Sequence, residues 1–420
     1  MVRSCASLLA ILVMACSFAT AQAKYKVLYS FGTNPNDGYN PNGGLVFDNA
    51  GNLYGTAQFG GSQCHSECGI VFELSPSSNG SWTENILYNF CSQSNCADGQ
   101  FPQAGLVLDD SGNLYGTTES GGAHAGGTVF ELSPPSAPGA NWTETVLWSF
   151  GGANDGGTPF SKLTWDAAGN LYGTTSQSTA GKGTVFELTP GLNGWAEKVL
   201  YTFCVNYPDC SDGANPMAGV TFDKSGNLYG TTFDGGTFGD GKWGVVYELS
   251  PTSGGGWMET TIHLFSSTGG GESLSEVNFD NAGNLYGTVS QGGPHSPAQC
   301  GGVFKMTSTQ AGWKEAIFPF NDSGIHGCRP QAGVFVDNKT GSVYGTAQVD
   351  ASYEGIAYKI SGTKETILHG FCQQPGCVDG SLPNSFLTPN AGKLYGTTAE
   401  GGTSSACGQL GCGVVFEISP

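Results

Sequence analysis

The chain has 420 residues, of which 68 are glycine and only 12% are charged. A hydrophobic content of 38%, with 11% aromatic residues, is too high for a disordered chain, and glycine without a three-residue period excludes collagen. The formal net charge of −19 argues against a nucleic-acid partner or an anionic membrane, because both are bound through basic surfaces. The composition therefore predicts a folded, acidic protein that is rich in turns.

Residues 1–23 have the pattern of a secretory signal peptide. Arg3 is the positive end, residues 8–14 form the apolar run, and Ala21-Gln22-Ala23 resembles a cleavage site. We expect a mature chain of residues 24–420 that is secreted or periplasmic. We expect no membrane span in it, because no later run approaches ~18 apolar residues. Cleavage before Cys16, which would give a lipoprotein, is the alternative.

The rest of the chain is a tandem repeat. The string Leu-Tyr-Gly-Thr, with Val for Leu in the sixth copy, recurs at intervals of 51–61 residues. Its seven tyrosines are Tyr54, Tyr115, Tyr172, Tyr229, Tyr286, Tyr344 and Tyr395. Each copy contains four short apolar runs rich in β-branched and aromatic residues, bounded by Gly, Pro, Asn and Asp, which is typical of strands. The pattern predicts one all-β domain over residues 24–420, a seven-bladed β-propeller of four-stranded antiparallel blades.

The two ends of the repeat complement each other. The last copy stops after its third strand, and residues 25–31 resemble a fourth strand that no blade precedes. We expect the N-terminal strand to complete the last blade, because this removes exposed sheet edges at the junction. This closure predicts that Val27 and Leu28 lie beside Phe416.

The repeated motifs resemble those of the GloVer tandem-repeat family of exported bacterial proteins. The pattern is Asp-Gly-x-x-Pro, then Gly-Leu-x-x-Asp-x-x-Gly-Asn-Leu-Tyr-Gly-Thr-Thr, then Gly-Gly and Gly-Thr-Val-Phe-Glu-Leu, and it covers residues 25–420. The resemblance implies an exported repeat protein and brings no established activity. Many members carry a C-terminal sorting anchor, which is not evident here, so we expect a protein that is released or held in the periplasm.

The twelve cysteines after the signal peptide fall mostly in close pairs. An even number in an exported chain predicts disulfides, and the spacing lacks the Cys-x-x-Cys typical of zinc sites. The expected pairs are Cys64–Cys68, Cys91–Cys96, Cys204–Cys210, Cys300–Cys328, Cys372–Cys377 and Cys407–Cys412.

Two sets of aspartates recur with the repeat. The first set, Asp48, Asp109, Asp166, Asp223, Asp280 and Asp337, precedes glycine by three positions, or by four at Asp337, and is expected to accept backbone N–H groups in a turn. The second set, Asp37, Asp98, Asp155, Asp212 and Asp379, precedes a glycine in the connections between blades. We interpret it as turn residues, with an acidic rim that binds Ca²⁺ or cationic groups as the alternative.

The connections between blades share one face of the disc with the loops after Leu-Tyr-Gly-Thr, because successive strands alternate in direction. This loop-rich face carries the candidate ligand contacts, which are Tyr39, Phe101, Phe160, Tyr207, Trp243 and Arg329. Aromatic rings beside polar loops suit sugar stacking, although the same rings could simply cap the loops.

We therefore predict a non-catalytic binding or scaffold propeller that binds an extracellular glycan or a cell-surface protein. We expect a monomer without a cofactor, a metal site or catalytic residues, since no zinc-hydrolase or nucleophile-elbow motif occurs. The alternative is an extracellular carbohydrate-active enzyme, a lyase or hydrolase, with its site at the mouth of the channel. Two acids could meet there from the set Glu119, Asp234, Glu272, Asp350 and Glu400.

Overall fold

The computed structural model describes residues 23–63, 68–137, 139–236, 243–293, 300–320, 327–348 and 354–420. The predicted signal peptide therefore lies outside the described residues, except for Ala23. Within them are thirty strands and three short 3₁₀ helices, and none of the helices is long and apolar enough to span a bilayer.

The strands are β1 (Lys24–Ser30), β2 (Gly38–Tyr39), β3 (Val46–Phe47), β4 (Leu53–Ala57), β5 (Phe59–Gly60), β6 (Ile70–Pro76), β7 (Trp82–Asn89), β8 (Val107–Leu108), β9 (Leu114–Thr118), β10 (Thr128–Ser133), β11 (Thr143–Ser149), β12 (Thr164–Trp165), β13 (Leu171–Thr175), β14 (Thr184–Gly191), β15 (Gly194–Thr202), β16 (Thr221–Phe222), β17 (Leu228–Thr231), β18 (Val245–Pro251), β19 (Trp257–Leu264), β20 (Asn278–Phe279), β21 (Leu285–Val289), β22 (Gly302–Thr309), β23 (Gly312–Pro319), β24 (Phe335–Asp337), β25 (Ser342–Ala347), β26 (Ile356–Ser361), β27 (Lys364–Gly370), β28 (Thr388–Asn390), β29 (Lys393–Thr398) and β30 (Val414–Ser419). The 3₁₀ helices are Ser94–Cys96, Pro375–Cys377 and Gly408–Leu410.

Twenty-eight of these strands form seven antiparallel sheets of four, and each sheet is one blade. Blade 1 is β3-β4-β6-β7, and blades 2 to 6 follow as β8 to β11, β12 to β15, β16 to β19, β20 to β23 and β24 to β27. Blade 7 is β28-β29-β30-β1, in which Val27 pairs with Phe416 and Lys24 with Ser419. The predicted seven-bladed fold and its closure by the N-terminal strand are both confirmed.

The Leu-Tyr-Gly-Thr string forms the second strand of each blade, and packing explains its glycine. In blade 1, a Cβ atom on Gly55 would lie 2.6 Å from the ring of Phe72, the residue directly opposite on β6. Because Phe72 is fully buried, it has no room to move aside. The glycine therefore recurs together with an aromatic residue opposite it, which is phenylalanine in five blades and tyrosine in blades 4 and 6.

The recurring threonine of the same string links each blade to the next. The Thr174 hydroxyl donates to the Ala218 carbonyl at 2.9 Å, and five other blade junctions have the same bond at 2.9–3.2 Å. The junction between blades 7 and 1 is different. There the Thr397 hydroxyl is buried and has no partner among the described residues.

The aspartates of the first set accept backbone hydrogen bonds in tight turns, as predicted. Asp48 Oδ1 accepts from the N–H groups of Ala50 and Asn52 at 2.9 and 2.8 Å, and Gly51 adopts a φ of 88°. The aspartate side chain therefore fixes the turn between the first two strands of the blade, which lies on the face opposite the connections.

The second set of aspartates does not form an acidic rim, because four of its five members are buried between blades and the fifth, Asp212, is half-buried. Asp37, Asp98, Asp155 and Asp379 are each 7% exposed or less. Asp37 Oδ2 accepts from the Gly32 N–H and the Tyr29 hydroxyl, both at 2.8 Å. These carboxylates anchor the connections between blades rather than facing solvent.

Five of the six expected disulfides lie within the described residues. They are Cys91–Cys96, Cys204–Cys210, Cys300–Cys328, Cys372–Cys377 and Cys407–Cys412. The sixth expected pair includes Cys64, which lies outside the described residues. The bridge between Cys300 and Cys328 fastens the residues directly before β22 of blade 5 to the connection that enters blade 6.

Candidate functional site

The innermost strand of each blade borders a central channel, and the burial pattern identifies which residues face it. Residues 41–46 alternate strictly between buried and half-buried, which places Asn42, Gly44 and Val46 on one face of the strand. We call the first position the upper tier, nearest the loop-rich face, and the second the middle tier. The upper tier is Asn42, Gln103, Phe160, Met217, Leu274, Gln331 and Asn384. The middle tier is Gly44, Gly105, Lys162, Gly219, Glu276, Gly333 and Phe386.

The middle tier surrounds a cavity of about 340 Å³ whose lining residues come from blades 1, 2, 3, 5 and 7. Four of its seven positions are glycine, and the other three carry Lys162, Glu276 and Phe386. Burial raises the pKa of Glu276, and the positive charge of Lys162 partly opposes this effect. The channel thus contains one cation, one acid and one aromatic ring at positions that the repeat otherwise leaves empty.

The upper tier divides into a polar arc and an apolar arc. In the polar arc, Gln331 donates to Gln348 at 2.8 Å, Gln348 to Asn384 at 2.6 Å, and Asn384 to Asn42 at 3.2 Å. This chain of amides runs across blades 6, 7 and 1. The apolar arc is Phe160, Met217 and Leu274 of blades 3, 4 and 5. The channel mouth therefore offers amide groups on one side and apolar side chains on the other.

A ring of left-handed residues surrounds this mouth. At the position two residues before the upper tier, all seven blades hold a non-glycine residue at a φ of 53–61°. These residues are Asn40, Phe101, Thr158, Asn215, Glu272, Arg329 and Leu382. A non-glycine residue in this conformation is strained, so its presence in every blade shows that the fold holds the backbone while the side chain varies.

A cavity of about 710 Å³ lies on the loop-rich face where blade 7 meets blade 1, and we call it the seam cleft. Its lining is mostly glycine, amide and hydroxyl groups with one aromatic residue, Tyr39. Tyr39 stacks on Phe59 with ring centroids 5.3 Å apart, and Phe59 meets the edge of Phe101 at 5.6 Å. These three rings form an aromatic row that leads from the seam cleft toward the channel mouth.

A backbone pairing present in most blades positions this row. Tyr39 pairs with Phe59 in the short β2–β5 sheet, and the same pairing occurs as an isolated bridge in blades 2, 3, 4, 5 and 7. The corresponding pairs there are Gln100–Ser120, Gly157–Gln177, Ala214–Asp234, Gly271–Gln291 and Ser381–Glu400. Among these described pairs, only the one in blade 1 has two aromatic residues.

The structure brings together only some of the six predicted contacts. Tyr39 and Phe101 meet through Phe59, and Phe160 stands in the upper tier. Arg329 is exposed in the left-handed ring. Tyr207 is 73% exposed, with Lys182 Nζ 5.3 Å from its ring centroid, on the Cys204–Cys210 loop.

The sixth predicted contact, Trp243, has a packing role. A Cβ atom on Gly271 would lie 2.7 Å from its ring, and the Trp243 carbonyl accepts the Glu272 N–H at 2.9 Å. Its half-buried side chain packs against the core cluster shared by blades 4 and 5. Trp243 therefore supports the backbone of the left-handed ring rather than offering a free ring to a ligand.

Sequence reasoning missed Phe59, the amide chain and the charged pair in the channel. An alignment of the seven copies, position by position, identifies Phe59 and the two charged residues as departures from the repeat. Lys162 and Glu276 stand where most copies have glycine, and Phe59 stands where other copies have Ser120 or Gln177. The useful signal in a repeat protein is thus the position at which the copies disagree.

The acids near the mouth occupy distinct environments. Burial, together with the negative charge of Asp234, raises the pKa of Glu272. Glu119 accepts a hydrogen bond from Gln103 of the upper tier, and Glu272 accepts one from Gln291. Asp350 lies outside the described residues. Within the described residues, Glu272 and Asp234 interact electrostatically, as do Glu400 and Glu354, so both pairs are candidates for the carboxylate pair that the alternative of an enzyme requires.

One group of metal-ligating atoms is compact within the described residues. The sulfur atoms of Cys68, Cys91 and Cys96 lie within 4.8 Å of one another. Cys91 and Cys96 form a disulfide, and Cys68 is also disulfide-bonded. Because a metal ion binds the thiolate, oxidised cysteines offer it no ligand.

Comparison with known protein families identifies the repeat. The sequence profile of the Gloeobacter/Verrucomicrobia repeat matches residues 14–180 and 164–416. No curated protein shows significant sequence similarity to the chain. Among solved structures, the chain is similar to a luciferin-regenerating enzyme, with 12% identity, a TM-score of 0.45 and 95% of each chain covered. It is similar to the same extent to the PQQ domain of pyranose dehydrogenase from Coprinopsis cinerea, with 11% identity, a TM-score of 0.45 and 95% of each chain covered.

Proposed function

The chain belongs to the Gloeobacter/Verrucomicrobia repeat family, and on this premise we propose that it is an exported, non-catalytic propeller that binds a saccharide on its loop-rich face. The saccharide lies in the seam cleft and along the aromatic row of Tyr39, Phe59 and Phe101. The five disulfides support the exported location, since such bonds persist in oxidising compartments.

The aromatic row beside a polar cleft is the observation that carries the proposal. Sugars present apolar C–H faces and many hydroxyl groups, so they are bound by aromatic rings combined with amides and hydroxyls. The seam cleft supplies Asn34, Asn36, Ser62 and Gln63 next to the ring of Tyr39. Its volume of about 710 Å³ lies within the range of ~300–1,000 Å³ that is typical of small-molecule sites.

A glycan array followed by calorimetry with the best saccharide tests this function. We expect Tyr39→Ala and Phe101→Ala each to weaken binding by roughly tenfold, since each removes a stacking surface or its support. Tyr207→Ala is the matched control, because Tyr207 is an exposed aromatic residue of the same face that lies outside the row. Equal losses in all three variants, or no saccharide bound, would contradict the proposal.

Chromatography of the same saccharide after prolonged incubation separates binding from turnover. The proposal expects the saccharide to be recovered intact. Product formation that is lost in Glu272→Gln would instead support the carbohydrate-active enzyme, with Glu272 and Asp234 as its carboxylate pair.

A further inference from the structure

A second cavity of the loop-rich face lies at the outer edge between blades 2 and 3, away from the seam cleft. It has a volume of about 430 Å³ and is lined by His124, Trp148, Ser149, Gly152, Ala153, Asn154, Asp155 and Glu197. Two carboxylic acids thus line one cavity, and none of its described lining residues is a lysine or an arginine.

Three polar atoms of side chains that line the cavity are buried and have no hydrogen-bond partner among the described residues. They are Oδ1 of Asp155, Oε1 of Glu197 and the indole N–H of Trp148. Asp155 is only 7% exposed. A buried carboxylate oxygen without a partner costs the desolvation energy of a charged group, so a ligand that supplies a donor there is strongly favoured.

The equivalent junctions in other blades show what this one lacks. Asp98 accepts from the Tyr88 hydroxyl at 2.9 Å and from the Ser92 N–H at 2.8 Å, and Asp212 accepts from the Tyr201 hydroxyl at 2.9 Å. In blade 2 the position of these tyrosines is occupied by Trp148, whose ring has no hydroxyl. The connection that follows is also short, with only four residues between Phe150 and Asp155, whereas seven separate Phe90 from Asp98.

The two acids of the cavity favour a ligand that carries a positive charge. Burial and the negative charge of Asp155 raise the pKa of Glu197 to about 7, so a cation between the two acids would favour its ionised form. Among the described residues, the ligand atoms of three metal-binding side chains lie close together only in the group of Cys68, Cys91 and Cys96. Asp155 and Glu197 therefore have no third acid or histidine close enough to complete a metal site with them. The unpaired indole N–H calls for a hydrogen-bond acceptor on the same ligand, which a bare metal ion does not offer.

We propose that the cavity between blades 2 and 3 binds an amino sugar, with its primary ammonium between Asp155 and Glu197 and a hydroxyl oxygen accepting from Trp148 Nε1. An ammonium group donates three hydrogen bonds, enough to satisfy both unpartnered carboxylate oxygens. This site is independent of the seam cleft and does not require that cleft to bind a saccharide.

Calorimetric titration of the folded chain at pH 7 with glucosamine tests the site, with N-acetylglucosamine and calcium chloride as comparison ligands. We expect glucosamine to bind at least tenfold more tightly than N-acetylglucosamine, because acetylation removes the charge. Asp155→Asn and Glu197→Gln should each weaken glucosamine binding by roughly tenfold or more, as expected for a charge-assisted hydrogen bond. Asp110→Asn removes the same charge from an exposed turn and should leave binding unchanged.

Trp148→Tyr gives a test that does not depend on a destabilising change. The new hydroxyl reproduces the tyrosine of the neighbouring junctions, so it should satisfy Asp155, raise the melting temperature and weaken glucosamine binding. Tyr39→Ala should leave glucosamine binding intact, which separates this site from the seam cleft. Equal affinity for glucosamine and N-acetylglucosamine, binding of calcium alone, absence of binding, or full affinity in Asp155→Asn would each overturn the proposal.

Discussion

At the scale of single residues, the glycine and the threonine of the repeated motif each recur for a separate physical reason. The glycine of Leu-Tyr-Gly-Thr makes room for the phenylalanine or tyrosine ring opposite, and at six of the seven junctions the threonine donates to the next blade. Sequence reasoning assigned the string to a strand and could not predict the inter-blade bond, because a recurring buried threonine is also what strand propensity alone would favour.

The threonine bond leads to a prediction with an internal control. Thr174→Val should lower the free energy of unfolding by about 1–3 kcal/mol, because it leaves the buried Ala218 carbonyl without its donor. Thr397→Val should be neutral or stabilising, because the Thr397 hydroxyl has no acceptor among the described residues. Denaturant titration of both variants measures the difference, and equal losses would show that the bond contributes nothing.

At the scale of elements, the outer strands of blades 1 to 4 each bring a glutamate close to the aspartate of the connection that enters the same blade. Burial and the negative charge of Asp98 raise the pKa of Glu144 to about 8. Burial, with Asp37 as the next contributor, raises that of Glu84 to about 8. Sequence reasoning assigned Asp37 and Asp98 to a turn or a rim, because the partner glutamates are about 46 residues away on the next blade and show no local spacing.

The raised pKa values of these glutamates predict that the free energy of unfolding falls as the pH rises from about 6.5 to 8. A carboxyl whose folded pKa exceeds its ordinary value of 4.5 binds more protons in the folded than in the unfolded chain, so stability declines between 4.5 and about 8. Below about pH 6.5 the effect is opposed by His369, whose pKa is lowered by burial. Melting temperatures across this range measure the slope.

The variant Glu144→Gln isolates one junction. It should raise the melting temperature at pH 8 and flatten the slope, since a neutral amide replaces an acid that ionises at a cost. Tyr88 and Asp98 face this position, and Tyr88 donates to Asp98. Asp110→Asn, in an exposed turn, is the control and should leave the slope unchanged. A slope unaltered in Glu144→Gln would rule out this junction as its source.

At the scale of the whole molecule, the number of blades and the closure could both be predicted from the sequence. Seven copies of the repeat indicate seven blades, and an N-terminal strand that belongs to none of them indicates that it completes the last blade. The candidate site could be predicted only in part. The loop-rich face carries Tyr39 and Phe101 as expected, but the middle-tier cavity and the carboxylates under Trp148 depend on neighbours from different blades, and a single copy cannot show which residues meet.

Removal of residues 24–30 should leave blade 7 with three strands and expose the edge of β30. We expect this chain to aggregate or to melt at a markedly lower temperature, since an open edge recruits other strands. A synthetic peptide of residues 24–31 added in excess should restore the melting temperature by pairing with β30. A scrambled peptide is the control, and an unchanged melting temperature in the shortened chain would refute a stabilising role for β1.

The pairing of β1 with β30 also determines when in synthesis and folding the ring can close. The ribosome makes β1 first, yet its partner is the last strand of the described structure to be made, so the earliest hydrogen-bonding surface must wait while every other blade emerges. Such distant pairing is slow, because the whole intervening chain has to be organised before the two strands can meet. A nascent chain would therefore be an open arc with an unpaired strand at its N-terminal end, and the ring would close only when β30 has been made.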